Sequence, residues 1–454
     1  MSVSTTQELP ASSPPTAVGD PSPERHLLRV VGTWGLAASI VNITVGGGIF
    51  RLPAGVYARL GAASPLAYAV CAAVMVLVVM CFAEAGSRVS LTGGLYAYIE
   101  VAFGPLVGFV AGALLWAGMT AATAAVTTFF GDAMAALVPL FGHPGMRALV
   151  VVAVLVALAA LNVFGVGNAM RFNSLMTVAK LAPLALVIVA GLLSLRTERL
   201  ALGRVPPAGD LARGSIFLLF AFLGVESALV PSGEVREPAR TVPRAIALAL
   251  ACVAAIYIGI QVVAQSALGA ALASSKTPVA DAAGVLLGAH GRTLILVGSA
   301  MSMFGYVSGM TLAVPRMLFA FGRDGFLFEG LAAVHPRFRT PHAAIVAQTG
   351  VNILLATTGT FEQLAVAANG SILIVYGFCA LAVFVLRSKD VRSGGAQPYV
   401  APLGGVVPAL AFAAIVWLLL GLTRPEWLAL GMITAGALAV FAATRGARSA
   451  RMTR

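Results

Sequence analysis

Charge is scarce in this sequence. Asp, Glu, Lys and Arg make up 10% of its 454 residues, whereas hydrophobic residues make up 59%. Because so few charges cannot cover the surfaces of soluble domains, the composition excludes a soluble protein and indicates a chain that crosses a membrane many times. The 29 Lys and Arg residues are scattered between apolar segments and do not cluster with aromatic residues, so we expect no nucleic acid partner.

Cysteine and histidine are scarce as well. The four cysteines, at positions 71, 81, 252 and 379, all lie in apolar runs, where a thiol behaves as a small buried hydrophobe. The five histidines lie in the amino-terminal region, in loops or at the ends of apolar runs, and not together. We therefore expect no disulfide, no metal site and no cofactor, and the residues that a membrane enzyme would need are not clustered.

Long apolar runs are abundant. A run of about 20 residues can cross the hydrocarbon core of a bilayer as a helix. Twelve runs qualify, at residues 31–60, 64–88, 105–135, 146–164, 172–195, 214–234, 243–270, 292–322, 342–358, 364–387, 401–421 and 425–443. The predicted fold is an all-α integral membrane protein with 12 transmembrane helices.

The tails and loops predict the orientation. Residues 1–26 are rich in Ser, Pro and Thr and are typical of a disordered tail, while 444–454 form a short basic tail around the membrane domain 27–443. Most Lys and Arg fall on one side of the predicted spans, which places both termini in the cytoplasm and the protein in the cytoplasmic (inner) membrane. The loop at 196–213 is an exception, with four arginines on the predicted outer side.

The first span carries an unusual interruption, NITVGGGIFRLP at residues 42–53. Glycine costs roughly 1 kcal/mol at a helix-interior position, and in hydrocarbon every freed backbone group must find another partner. We predict that the helix unwinds at 45–48 and offers backbone N–H groups to an anionic carboxylate. Close packing of the glycines against another helix is the alternative.

A second interruption lies in the sixth span, GSIFLLFAFLGVESALVPSGEVREP at residues 214–238, where Gly224 and Glu226 break an apolar helix. Unwinding at 222–225 would free carbonyl oxygens suited to an ammonium group, although a simple kink is the alternative. Spans one to five (31–195) and six to ten (214–387) thus each begin with a broken helix, a pattern typical of transporter sites. Because five is odd, the second block runs in the opposite sense, as a 5+5 inverted repeat with two appended helices at 401–443.

Three segments together resemble the amino acid–polyamine–organocation superfamily of transporters. They are GGGIFRLPAGV at 46–56, FAEAGSRVSLTGGLYAYIEVAFGPLVGF at 82–109 and FAFLGVESALVPSGEVREPARTVPRAI at 220–246. The resemblance covers about residues 31–443. It implies a secondary transporter that moves amino acids by alternating access, by proton symport or by exchange, as a monomer or homodimer in membrane lipid. A permease for polyamines or other organic amines is the alternative, and a channel or membrane enzyme a more distant one.

The resemblance also implies roles for individual residues. The carboxylate of a substrate would be held by Val45, Gly46, Gly47 and Gly48, and its amine would lie near Phe222, Leu223 and Val225. Trp116, Tyr306 and Asn369 are further candidates for the pocket wall, although such residues in spans usually only pack. Glu226 matches an acid that takes part in proton-dependent transport in some family members, and a carboxylate at membrane depth is by default a functional candidate.

Lys180 is the basic residue that the span assignment leaves inside the membrane. It lies about 10 Å along a helix from the start of the fifth span, so extension to the interface is possible but strained. The resemblance places its ammonium among the first, fifth and eighth helices, where sodium-coupled relatives hold a cation. A fixed positive charge there would repel sodium, so we expect sodium-independent transport.

Two charged residues near span ends have simpler interpretations. Glu84 is expected to pair with Arg88 at the end of the second span. Arg51, in the outer half of the first span, is expected to extend its side chain to the membrane interface.

Overall fold

The computed structural model describes residues 32–89, 95–164, 169–201, 206–225, 238–323, 325–338, 340–392 and 397–452. Within these residues the chain is helical and contains no β-strand. The first eight helices are α1 (Thr33–Thr44), α2 (Gly48–Leu60), α3 (Ser64–Arg88), α4 (Leu95–Phe103), α5 (Pro105–Leu137), α6 (Pro144–Phe164), α7 (Ala169–Leu193) and α8 (Ala208–Leu219). The others are α9 (Pro238–Leu268), α10 (Pro278–Ala313), α11 (Pro315–Arg323), α12 (His342–Thr358), α13 (Phe361–Ser388), α14 (Val406–Leu419) and α15 (Arg424–Met452).

Seven helical stretches in the described part of the chain are long and apolar enough to cross a membrane. They are Gly48–Arg88, Pro105–Leu137, Pro144–Phe164, Pro243–Ser274, Pro278–Arg323, Phe361–Ser388 and Arg424–Thr444. Two shorter apolar helices, Lys180–Leu193 and Val406–Leu419, accompany them. The chain is therefore a multi-pass, all-helical membrane protein, and the count of twelve spans stays a prediction.

Helices α5 and α13 form the centre of the bundle. In the most apolar window of α5, 78% of the residues are buried inside the protein, and in that of α13 72%, compared with 11% at Arg424–Thr444. Gly118 of α5 allows this close packing, because a Cβ atom there would lie only 2.6 Å from the side chain of Ile372 on α13. The outer helices instead present apolar side chains that suit contact with lipid.

Glycines also bring α2 and α8 together. A Cβ atom at Gly55 of α2 would lie 2.4 Å from the ring of Phe217, and one at Gly214 of α8 would lie 2.5 Å from Leu60. Contacts this short require the absence of a side chain, as in the small-residue interfaces of membrane helices. The two helices that adjoin the predicted breaks are therefore in direct contact.

The carboxylate of Glu84 joins three segments at one end of the bundle. It is fully buried, and it accepts hydrogen bonds from Arg88 at 3.1 Å, from Arg387 at 2.6 Å and from the backbone N–H of Ala401 at 2.8 Å. The predicted pairing with Arg88 is confirmed. The contacts to Arg387 on α13 and to Ala401, which precedes α14, were not predicted. These two partners are more than 300 residues away from Glu84 along the chain.

Replacing Glu84 with alanine is expected to destabilise the protein. The change would leave two guanidinium groups without their buried carboxylate, which typically costs about 3–5 kcal/mol when one partner of a buried pair is removed. Thermal unfolding in detergent should therefore begin at a clearly lower temperature. Asp390→Ala is the control, because its pair with Arg392 is largely exposed and such pairs contribute about 1 kcal/mol or less. Equal unfolding temperatures for both variants would contradict this assignment.

Arg199 explains part of the unusual charge in the 196–213 loop. Its guanidinium donates to the carbonyl oxygens of Ser266 and Ala267, at 3.1 and 2.8 Å, in the last turn of α9. A cation at a helix C-terminus satisfies unpaired carbonyls and interacts favourably with the helix dipole. This arginine therefore has a structural reason to lie where the charge bias would not place it.

Two details differ from the sequence-based expectation. Cys252 is exposed on α9, so the prediction of a buried thiol is wrong at this position, whereas the other three cysteines are buried. Helix α15 also continues past residue 443 to Met452, so most of the predicted basic tail extends the last helix.

Candidate functional site

The predicted break in the first span is present. Helix α1 ends at Thr44 and α2 begins at Gly48, and all residues between them are buried. At Val45 the backbone angles are φ −75° and ψ 76°, which correspond to an inverse γ-turn. The N–H of Gly46 closes this turn on the carbonyl of Thr44 at 2.8 Å.

The break differs from the prediction in which N–H groups it offers. The N–H of Val45 donates to Val41 at 2.9 Å, and that of Gly46 is used in the turn, so the prediction of free donors is wrong for these two groups. A helix start leaves its first N–H groups without intrahelical acceptors. The donors available to a carboxylate are therefore those of Gly47, Gly48 and Ile49, at the positive end of α2.

The second break begins where α8 ends. A short 3-10 turn covers Phe220–Phe222, and Leu223 then takes extended angles, φ −65° and ψ 147°. Gly224 has φ +106°, a backbone conformation that glycine adopts readily and that residues with a side chain rarely adopt. Val225 is the last described residue before a gap, and Glu226 lies outside the described residues.

The two breaks are in contact with each other. A Cβ atom at Gly48 would lie 3.2 Å from the ring of Phe220 and 3.3 Å from the Cα atom of Ala221. One at Gly47 would lie 2.9 Å from the side chain of Met303 on α10. The structure thus shows the close packing that was the alternative explanation of the glycines, and that packing brings the start of α2 against the 3-10 turn that follows α8.

Tyr257 on α9 connects both breaks, and the sequence analysis did not single it out. Its side chain is fully buried, and its hydroxyl lies 2.9 Å from the carbonyl oxygen of Thr44 and 2.7 Å from that of Ala221. Its ring packs edge-on against the predicted site residue Phe222, with the ring centroids 5.3 Å apart.

Lys180 is buried on α7, with 6% of the residue exposed. Helix α7 packs against α9 and α10, the two helices that carry Tyr257 and Met303. On α10, the hydroxyl of Ser302 also lies 3.5 Å from the carbonyl oxygen of Val45. The lysine therefore belongs to a helix adjacent to those that contact the first break.

The three predicted wall residues occupy different places. Asn369 is fully buried and donates to the carbonyl of Ile216 on α8 at 2.6 Å, so it supports the helix that leads into the second break. The indole N–H of Trp116 donates to Gln348 on α12 at 2.8 Å, which ties α5 to α12. Tyr306 is half-buried on α10. Their role as substrate contacts stays a prediction.

Arg51 closes one end of the bundle. Its guanidinium donates to Glu362 at 3.1 Å and to the carbonyl of Lys276 at 2.7 Å, and only 17% of its side chain is exposed. These partners lie on α13 and before α10, far away in the sequence, so the guanidinium is held against the protein, and its expected place at the membrane interface stays a prediction. Next to this closure lies a cavity of about 570 Å³, lined by Asp132, Ala135, Ala136, Gly142, Pro144, Arg147, Lys276, Thr277, Asp281 and Arg292.

Comparisons with known proteins show the family of this chain. A family model described as amino acid permease matches residues 31–442. The chain is 30% identical over 409 residues to the serine/threonine exchanger SteT of Bacillus subtilis (strain 168). The aligned region covers 87% of this chain and 91% of SteT. It is 26% identical over 427 residues to the branched-chain amino acid permease BcaP of Lactococcus lactis subsp. cremoris. The aligned region covers 88% of this chain and 90% of BcaP. It is 25% identical over 418 residues to the methylthioribose transporter of Bacillus subtilis. The aligned region covers 88% of this chain and 90% of that transporter.

The helical membrane fold and the family match together define a class. The chain belongs to the amino acid permease family. It is a multi-pass amino acid transporter, and its family and relatives indicate a transporter rather than an enzyme.

Proposed function

We propose that the protein is a sodium-independent secondary transporter that moves amino acids across the cytoplasmic membrane by alternating access, coupled to proton symport or to exchange of another amino acid. The observation that carries the proposal is the contact between two broken helices, at Gly48 and Ala221. Facing half-helix ends supply N–H donors for a carboxylate and carbonyl acceptors for an ammonium. A free amino acid carries both groups.

The substrate would lie between the start of α2 and the end of α8. Its carboxylate would accept from the N–H groups of Gly47–Ile49, and its ammonium would donate to carbonyls of Phe222–Val225. Val45 and Gly46 would shape the turn that presents these donors. Asn369 would hold α8 in place, and Trp116 and Tyr306 would contact the side chain of the substrate.

The finer architecture is part of the same proposal. Twelve spans would form a 5+5 inverted repeat, 31–195 and 214–387, with 401–443 appended. Both termini would be cytoplasmic, with 1–26 as a disordered tail and 27–443 as the transporter domain. The two broken helices support a repeat, because each one opens a five-helix block. The protein would work as a monomer or homodimer in membrane lipid.

Lys180 supports sodium independence. A buried ammonium beside the helices that contact the first break would occupy the place that a coupling cation needs, and like charges repel strongly where the dielectric constant is low. Transport would then depend on protons or on a counter-substrate and not on sodium.

Uptake into proteoliposomes tests the proposal. Vesicles that contain the purified protein and an internal amino acid mixture are supplied with radiolabelled amino acids, in sodium and in choline buffers. We expect uptake at the same rate in both buffers and none in vesicles without protein. Uptake only in sodium would contradict the coupling, and ionic current without substrate would indicate a channel.

A substrate outside the amino acids is the second candidate, favoured by the similarity to a protein named as a methylthioribose transporter. A thermal-shift screen separates the candidates, because a ligand that binds the native state raises the unfolding temperature. The screen should include the twenty amino acids, polyamines and methylthioribose. Stabilisation by amino acids alone supports the proposal, whereas stabilisation only by the other compounds overturns it.

Glu226 is proposed to couple proton transfer to transport, because a carboxylate next to a helix break at membrane depth can exchange a proton as the pathway opens. Glu226→Gln cannot titrate, so its transport rate should vary little between about pH 5 and pH 8, where a general acid or base would normally change its protonation. The wild-type rate should vary over the same range. An unchanged pH profile in Glu226→Gln would contradict the coupling role.

A further inference from the structure

The last helix continues beyond its membrane-spanning length. The apolar span of α15 ends at Thr444, whereas the helix continues to Met452. Every third position of this continuation, the basic extension 445–452, is an arginine, at Arg445, Arg448 and Arg451, and the sequence has no acidic residue after Glu426. Positions three apart differ by about 60° around a helix, so the three arginines fall within a sector of about 120°. The basic extension therefore concentrates positive charge at the end of a span.

Three packed aromatic rings fix the place where the basic extension leaves the bundle. The ring centroid of Phe441 on α15 lies 6.1 Å from that of Phe109 on α5 and 5.9 Å from that of Phe326, which follows α11. The rings of Phe109 and Phe326 are themselves stacked, with centroids 4.2 Å apart. Arg445 is about one helical turn beyond Phe441, and Arg451 is about 15 Å beyond it. The basic extension therefore begins beside the segment that joins α11 to α12.

That joining segment, described at residues 325–338, exposes apolar and charged side chains together. Phe328 is 78% exposed and Val334 is 47% exposed. Arg337 is exposed as well, and so is the acidic residue Glu329. Exposed aromatic rings next to basic residues are typical of the boundary between the hydrocarbon core and the lipid headgroups. The joining segment and the basic extension thus have the composition of a surface at the level of the headgroups.

We propose that the basic extension and the joining segment form a surface that binds the headgroups of anionic phospholipids. The extension starts where the span of α15 ends, so the phosphate groups of the adjoining leaflet are the anions within its reach. Each arginine close to an anionic membrane surface strengthens the attraction by about fivefold. In the proposed orientation this leaflet is the cytoplasmic one. The inference goes beyond the proposed function, because it does not depend on which substrate the protein transports.

Lipid retention by the full-length protein tests the proposal. The protein is equilibrated in detergent micelles with equal amounts of phosphatidylglycerol and phosphatidylcholine that have the same acyl chains, and the lipids that stay bound are counted by native mass spectrometry. We expect the wild type to retain phosphatidylglycerol in preference to phosphatidylcholine. The triple variant Arg445→Gln, Arg448→Gln, Arg451→Gln should lose at least about fivefold of this preference. Salt should weaken the preference of the wild type, because it screens exposed charges.

Two further triple variants serve as controls. The first changes three exposed arginines away from the basic extension to glutamine, Arg196, Arg213 and Arg424; Arg424 begins α15, and the backbone of Arg213 lies beside Gly421, just before that helix. The second changes the arginines of the basic extension to lysine, which keeps their charge.

Both control variants should retain phosphatidylglycerol as the wild type does, within about twofold. A loss confined to the glutamine variant of the basic extension supports the proposal. An equal loss in the two glutamine variants would overturn it, because net charge alone would then explain the retention. A wild type without preference for phosphatidylglycerol, or a loss in the lysine variant as well, would also overturn it. None of these measurements requires transport, so they stand even if the proposed function fails.

Discussion

Replacing Lys180 with alanine is expected to slow amino acid uptake by at least about tenfold, which corresponds to a barrier that is higher by about 1.4 kcal/mol. The side chain is buried on α7, beside the helices that contact the first break. Removing its charge should loosen the position of the half-helix at the first break and leave space that the ammonium had occupied. Initial uptake rates in proteoliposomes, normalised to the amount of folded protein, provide the measurement.

Lys389→Ala is the matched control for Lys180→Ala. Lys389 lies at the end of α13, is exposed, and donates to the carbonyl of Ala102 at 2.9 Å. The same chemical change there should leave uptake close to the wild-type rate. Equal rates in the Lys180 variant and the wild type would refute the proposed role of Lys180. A strict sodium requirement of the wild type would refute it too.

Replacing Gly48 with valine is expected to have the second large effect. A Cβ atom at this position would lie 3.3 Å from the Cα atom of Ala221, and backbone cannot move aside as a side chain does. The new side chain should push the two breaks apart, with a strain of about 1–3 kcal/mol. Substrate affinity should therefore fall while the protein still folds, as measured by ligand-dependent thermal shifts.

The contacts predict an order among the glycine variants. Gly47→Val should be milder than Gly48→Val, because a Cβ atom at Gly47 would meet only side chains, those of Met303 at 2.9 Å and Val126 at 3.2 Å, and no backbone atom. Gly350→Val on α12 is the control, since nothing lies within 4 Å of its Cβ position. Unchanged affinity in Gly46→Val, Gly47→Val and Gly48→Val alike would contradict a carboxylate site at this break.

Features that depend on local backbone chemistry could be predicted from the sequence. The consecutive glycines of the first span predicted the break at 45–48, although the structure keeps Gly48 helical and engages the N–H groups of Val45 and Gly46 in hydrogen bonds. Gly224 predicted the second break, and its φ of +106° shows why a glycine is needed there. The burial of Lys180 followed from its place within an apolar run. In each case the informative residues lie within a few positions of the feature.

Features that depend on distant partners could not be predicted. Tyr257 resembles any packing aromatic in an apolar run, and only the tertiary fold brings its hydroxyl to Thr44 and Ala221. Arg51 likewise resembles an interfacial arginine in the sequence, and only the fold places it beside Glu362, 311 residues further along the chain. The sequence indicates that such side chains need partners in the membrane, but it does not identify them.

The most direct test of the proposed substrate site is a structure of the protein determined with a transported amino acid bound. We expect a carboxylate within hydrogen-bond distance of the N–H groups of Gly47–Ile49, and an ammonium beside the carbonyls of Phe222–Val225. An amino acid bound elsewhere, such as in the charged cavity next to Lys276 and Arg292, with no ligand between the two breaks, would contradict it.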